Sequence, residues 1–265
     1  MTAMPDLGNG VAPVLGGAAP PTTLPSGPQP TVATVPLHVP ILMYHLIGGM
    51  DGPRALPGLV VPAALFRAQL VALRDAGWRA IDLASLAADL LAGKAPPPRS
   101  FAITFDDGHR DGFTQALPIL RSLGDTATFF VISDRIGRTG YLTAGELRTL
   151  AADGMEIGNH TADHRDIARL APPRARAEID GAEVTLRAIL GRPPLLFAYP
   201  AGEASAATEA EVEAAGIELA VGSQEGALET LSDRFLVPRI RVSPSVSPSR
   251  LVTDLEAAAM GRFVP

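Results

Sequence analysis

Residues 101–108 read Phe-Ala-Ile-Thr-Phe-Asp-Asp-Gly. A short run rich in aromatic and β-branched residues, the composition of a strand, leads straight into two adjacent carboxylates. Asp106 and Asp107 repel one another, so something positive must offset them. Gly108 lets the chain turn sharply directly after them. A strand that ends in unusual polar residues is the pattern of βα architectures, which collect their chemistry at the C-terminal ends of strands.

The same pattern recurs on both sides of this stretch. Strand-like runs fall at Ile41–His45, Arg79–Ile81, Thr126–Val131, Met155–Gly158, Leu195–Tyr199, Leu219–Val221 and Phe235–Val242. Helical patterns separate most of them, at Leu65–Ala76, Ala144–Ala152, Arg174–Leu190, Ser205–Ala215 and Ser247–Ala259. Thr143 with Glu146 is a capping-box signature, and Gly77, Gly154 and Gly216 stand where helices end. This alternation predicts an α/β fold with parallel strands and helices outside, either a closed barrel or an open doubly wound sheet. The number of strand candidates favours the barrel. Trp78, in an Ala-Gly-Trp-Arg segment, reads as core rather than as a sugar-stacking platform.

Composition bounds the rest. The 265 residues carry 22 Lys+Arg and 28 Asp+Glu, a formal charge of −6, with 47% apolar residues, enough for a sizeable core. Net acidity without a basic cluster argues against a nucleic-acid partner. No transmembrane segment is expected, because no run of apolar residues is long enough to span a bilayer. The absence of Cys removes disulfides, thiolate metal sites and Cys nucleophiles together. Residues 1–39 form a Pro/Gly-rich stretch whose only formal charge is Asp6, and they read as a disordered linker with no visible signal peptide. The domain is expected over 40–265.

Three further strand ends carry polar groups. Met155-Glu156-Ile157-Gly158 runs into Asn159-His160-Thr161-Ala162-Asp163-His164. Two histidines four apart, in a chain with five His, suit a divalent cation taking two neutral imidazoles. A carboxylate from the Asp106-Asp107 turn would complete a His₂-carboxylate set with positions open for water, the catalytic rather than the structural arrangement. Ile41-Leu42-Met43-Tyr44-His45 places a third His at a strand end. Phe197-Ala198-Tyr199-Pro200-Ala201-Gly202 ends another strand in a turn whose N–H groups near Tyr199 and Ala201 could face an oxyanion. His38 and His109 read as solvated loop residues.

Together these segments resemble the polysaccharide deacetylase family, the NodB-homology domain of carbohydrate esterase family 4. Thr104-Phe105-Asp106-Asp107-Gly108 matches its T-F-D-D-G motif, and His160-Thr161-Ala162-Asp163-His164 matches its H-[ST]-x-x-H motif, about fifty residues on. The resemblance implies a distorted (β/α)7 barrel. It implies a metal-dependent hydrolase that removes N-acetyl groups from an N-acetylglucosamine-containing polysaccharide outside the cytoplasm. Asp107, His160 and His164 would bind the metal, Asp106 would be the general base, and Thr161 would steady the His loop. Zn2+ is the expected ion, with Co2+, Ni2+ or Fe2+ as substitutes.

Two departures stand out. The family's third-motif Arg, which orients the base, is absent from Phe197–Gly202, and no His follows His164 to serve as the acid. Leu42-Met43-Tyr44-His45 looks like the segment that opens the permuted branch of biofilm poly-β-1,6-N-acetylglucosamine deacetylases, in which an early strand delivers the acid His. His45 is then the expected acid. Arg239 or Arg241, two apart in Val237-Pro238-Arg239-Ile240-Arg241-Val242, would replace the missing Arg, with Arg239 favoured. An O-acetyl esterase and a catalytically silent carbohydrate-binding protein on the same fold are the alternative readings.

Overall fold

A computed structural model describes residues 38–48, 57–228 and 231–262. The stretch 1–39, expected as a linker, lies outside these apart from His38 and Val39. The strands are β1 (Val39–Tyr44), β2 (Leu46–Ile47), β3 (Val60–Val61), β4 (Arg79–Ala80), β5 (Ser100–Phe105), β6 (Thr128–Val131), β7 (Glu156–Asn159), β8 (Leu196–Ala198), β9 (Leu219–Val221), β10 (Ala227–Leu228) and β11 (Ile240–Arg241). The helices are α1 (Ala63–Asp75), α2 (Leu83–Leu91), α3 (Leu117–Leu123), α4 (Ala144–Ala152), α5 (Pro172–Leu190), α6 (Ala206–Ala214) and α7 (Pro248–Ala258).

One nine-stranded sheet organises the fold, in the order β10-β1-β5-β6-β7-β8-β9, with β11 also on β1 and β4 also on β5. Its pairings are parallel except where β10 meets β1. The sheet curls until its ends approach. Val237 bridges Val221 of β9, and Ile240–Arg241 pair with Leu42–Met43 of β1. This is a distorted, curled (β/α) barrel, as expected. The long strand anticipated over Phe235–Val242 is regular only at β11, because its upstream half serves this bridge and the Arg239 contacts described below.

Strand alternation divides the core. Ile41, Ala102, Phe130, Leu196, Ala198, Leu219 and Val221 share one buried cluster with Leu83, Leu86, Ala87 and Leu90 of α2. Their neighbours Leu42, Tyr44, Ile103, Phe105, Phe129 and Val131 pack outward with α1, α3, α4 and α7. The short α2, not anticipated from sequence, packs at the end where strands begin. Capping fixes it there: Asp82 accepts from Ser85 N–H, while Glu156, the first residue of β7, accepts from Leu83 N–H (2.9 Å) and Ala84 N–H (2.8 Å). Thr128 Oγ1 donates to the same carboxylate at 2.5 Å.

Glu156→Ala strips the acceptor from all three donors, and each donor left buried without a partner costs about 1–3 kcal/mol. Glu156→Gln keeps one carbonyl oxygen, so thermal melting should fall much less for Gln than for Ala. Burial raises the Glu156 carboxyl above its usual range, more than the bonds from Thr128 and the α2 N–H groups lower it. Its contribution to stability is therefore complete below the unfolded value and declines as pH rises through the folded one. The Gln variant should lack that slope. Equal melting of the Ala and Gln variants would show that Glu156 does not cap α2.

Candidate active site

The site lies at the opposite end, where strands finish. Along β5, alternation carries Ala102, Thr104 and then Asp106 to the inner side, while Phe105 faces out and stacks on Phe129 (centroids 4.8 Å apart) and Tyr44 (5.6 Å). Asp106 extends the ladder through its N–H to Tyr44 O (3.0 Å). The backbone then turns left-handed at Asp107 (φ 73°) and at Gly108 (φ 71°). Thr161 (φ 64°), His164 (φ 70°) and Ala201 (φ 60°), all at this end, are left-handed too. Such strain gathers where surrounding contacts over-determine a site.

Asp107, His160 and His164 converge, with one donor atom from each lying within 4.8 Å of the others. Asp107 Oδ1 is 3.3 Å from His164 Nε2 and 3.7 Å from His160 Nε2. The chemistry of the donors fits a divalent cation. His160 Nδ1 is 2.7 Å from Ala198 O, a carbonyl that only accepts, so the proton sits on Nδ1 and the Nε2 lone pair faces Asp107. Burial also lowers the His160 pKa to about 4, against the nearby Asp106 and Asp107 charges, which leaves the imidazole neutral as a ligand requires. The Asp107 carboxyl is pushed up by burial, but the His109 hydrogen bond and the imidazoles of His160, His45 and His109 outweigh this and hold it below the usual range.

The loop carrying the histidines is fixed from within. Asn159, which no motif signalled, accepts from Thr161 N–H (2.8 Å) and donates to Ile179 O (3.0 Å). Thr161 Oγ1 accepts from His164 N–H at 3.1 Å, the steadying bond expected of it.

Asp106 takes a different environment. Arg239 crosses the inside of the sheet and meets it through two parallel bonds, Nη1 to Oδ1 at 2.8 Å and Nη2 to Oδ2 at 2.7 Å. Arg239 also donates through Nε to Gly222 O (2.7 Å) and through Nη1 to Thr104 Oγ1 (3.0 Å). Both partners are buried, and a buried bidentate pair supported by further hydrogen bonds is well held. Burial raises the Asp106 carboxyl, yet the charge and hydrogen bonds of Arg239 lower it further, so the group is a carboxylate. Arg241, two residues on, is exposed, so burial separates the two arginines that sequence alternation grouped.

These residues border one cleft of about 300 Å³, which His45, Met43, Leu59, Tyr199, Ala201, Gly202, Ser223 and Arg241 also line. Burial lowers the pKa of His45, partly offset by the Asp106 and Asp107 charges. Tyr199 packs its buried ring on Phe197 (5.0 Å), and its N–H is already bonded to Val221 O (3.1 Å). Ala201 stands exposed at the rim. His109 differs from expectation. It is no solvated loop residue: its ring stacks on Tyr141 (5.0 Å, 23°), and its Nε2 lies 3.4 Å from Asp107 Oδ2.

Sequence reading also missed the clamp behind the rim. Gln224 Nε2 donates to Gly202 O (2.9 Å), and Arg239 N–H donates to Gln224 O (2.8 Å). This ties the Pro200–Gly202 turn to the arginine that holds Asp106. Gly202 has φ 76°, and a Cβ there would sit 1.8 Å from Ser223 Oγ and 2.6 Å from Ser223 N. Gly202→Ala should cost about 1–2 kcal/mol for the left-handed backbone alone and displace the turn. Parent-like thermal melting would show that the turn does not depend on this close approach.

Comparison with known proteins agrees with this geometry. Residues 93–220 match the family model described as polysaccharide deacetylase. YxkH of Bacillus subtilis (strain 168) is 29% identical over 222 residues, 84% of this chain and 77% of that protein. The peptidoglycan-N-acetylglucosamine deacetylase of Bacillus cereus is 35% identical over 124 residues, 46% of this chain and 55% of that protein, so the match spans about half of that relative's length. Among solved structures, the Streptococcus pyogenes deacetylase PplD in complex with acetate superposes with a TM-score of 0.76 at 28% identity, covering 83% of this chain and 99% of that one. The curled sheet, the two motifs at its strand ends and the Asp-His-His cluster between them are thus those of the polysaccharide deacetylase family fold, and the chain is a metal-dependent deacetylase of the hydrolase class.

Proposed function

We propose that the chain removes N-acetyl groups from an N-acetylglucosamine-containing polysaccharide outside the cytoplasm, in the manner of the permuted branch. The observation that carries this reading is a carboxylate held by a buried arginine, Asp106, bordering the same cleft as the Asp107-His160-His164 cluster and His45. The place of β1 supports the permuted reading. It lies between β5, which bears the aspartates, and β11, which follows Arg239, so an early strand brings its His to the late strand's neighbour.

An amide resists hydrolysis because its carbonyl is a poor electrophile and its amine a poor leaving group. Asp107, His160 and His164 would hold a divalent ion, Zn2+ by preference, which would supply Lewis acidity to the acetyl carbonyl and to the attacking water. Asp106 accepts the proton of the attacking water, and Arg239 keeps that carboxylate ionised and oriented until it does. His45 gives a proton to the departing sugar amine. In the Pro200–Gly202 turn the Ala201 N–H is the donor offered to the negative charge that develops on the acetyl oxygen, since Pro200 has no N–H and Gly202 N–H is bonded to Tyr199 O (2.9 Å). No helix among the described residues is long and apolar enough to cross a membrane.

Acetate release from a partly acetylated N-acetylglucosamine oligosaccharide tests the reading. Activity should vanish with a chelator and return with Zn2+. Release from acetylated xylan with none from the N-acetyl substrate would replace this reading with an O-acetyl esterase. Binding of the oligosaccharide without acetate release would replace it with a silent binder.

A further inference from the structure

We infer that His109 is a positioning residue of the metal centre, bonding the outer oxygen of Asp107 so that the inner one faces the two histidines. The inference rests on the ligand set proposed above. The oxygens of Asp107 are divided: Oδ1 lies 3.3 Å from His164 Nε2 and 3.7 Å from His160 Nε2, while Oδ2 lies 3.4 Å from His109 Nε2. A carboxylate at a turn has a rotatable end, and without a partner for Oδ2 it could swing either oxygen, or both, toward the histidines. A donor on Oδ2 removes that freedom before the cation arrives.

His109 is itself well fixed. Its ring stacks on Tyr141 at 5.0 Å and 23°, and the two residues pair in an antiparallel bridge. The Tyr141 hydroxyl accepts from Arg135 Nη1 at 2.9 Å, and the Arg135 guanidinium lies 5.3 Å from the Tyr141 ring centroid. A continuous line of contacts therefore runs from Arg135 through Tyr141 and His109 to the metal-facing carboxylate. None of these three residues belongs to either motif.

The test is Zn2+ affinity of the full chain, measured by competition with a chromogenic chelator, for the parent, H109F, H109Q and H160A. Phe keeps a flat ring against Tyr141 but has no donor, whereas Gln restores an N–H without the ring. H109F should bind Zn2+ about 10–100-fold more weakly while melting like the parent in the metal-free form. H109Q should recover most of the loss, which a merely structural role for the ring would not allow. If H109F binds like the parent while H160A loses Zn2+, the inference fails and the ligand set stands. Equal weakening in H109F and H109Q would also overturn it, because the N–H would then not matter. If H160A binds Zn2+ like the parent, the ligand set is wrong and the role of His109 falls with it.

Discussion

Asp106→Asn should lower acetate release by about 10²–10⁴-fold, the range expected if Asp106 is the positioned general base, and should leave Zn2+ content unchanged. Metal retention follows from the division of labour between adjacent carboxylates. Asp107 faces His160 and His164, whereas Asp106 is paired with Arg239, so the substitution leaves the cluster intact. Asn matches Asp in size but turns an N–H₂ toward a guanidinium that can only donate. The variant therefore leaves a buried cation poorly paired and melts lower than the parent. Rates must be compared well below that melting point, with elemental analysis on the same sample. Turnover at the parent rate by a folded, metal-loaded Asp106→Asn would remove Asp106 from the chemistry.

How far the sequence could be read depends on how local each signal is. The β5 run with its two aspartates and the His160–His164 pair are contiguous, and their alternation and spacing set which way each side chain faces. The structure puts Asp107 and the two histidines together as that pattern suggests. Arg239 was harder. Nothing near it in sequence needs a cation, and Arg241 has the same strand parity. Only the curl of the sheet, which brings the segment after β9 back against β1, shows that one arginine is buried on Asp106 and the other is exposed. His109 was misread because a His after a glycine turn looks solvated until Tyr141, from a distant loop, covers its ring. Asn159 and Gln224 carry no motif, and Gly202 signals only the end of its turn. Their value lies in bonds to backbone atoms and in a close approach to Ser223, which exist only once the loops are folded. Much of the stability of helix α2, which is not anticipated from sequence, comes from packing under the sheet and from the distant Glu156.

Arg239→Met carries the second large effect, and it should fall on stability and pH dependence together. Met fills much of the same space without a charge, so Asp106 would stay buried with no cation beside it. Breaking one side of a buried pair costs about 3–5 kcal/mol, and here Thr104 Oγ1 and Gly222 O lose a donor as well. The double variant Asp106→Asn/Arg239→Met should lose less than the sum of the single losses, because removing both charges leaves no orphan. The sign with pH follows from linkage. In the parent, the Asp106 carboxyl lies below its unfolded value, so its contribution to stability is present above that value and lost as pH falls through the folded one. Without Arg239 the burial effect prevails and the folded value rises above the unfolded one, so destabilisation grows as pH climbs. The gap in melting temperature between parent and Arg239→Met should therefore be widest near neutrality and shrink toward acid pH. The acid limb of the rate profile should shift upward as well, because a base that holds its proton longer is idle to a higher pH. A melting gap that does not vary with pH, with an unmoved acid limb, would mean that Arg239 does not govern the ionisation of Asp106.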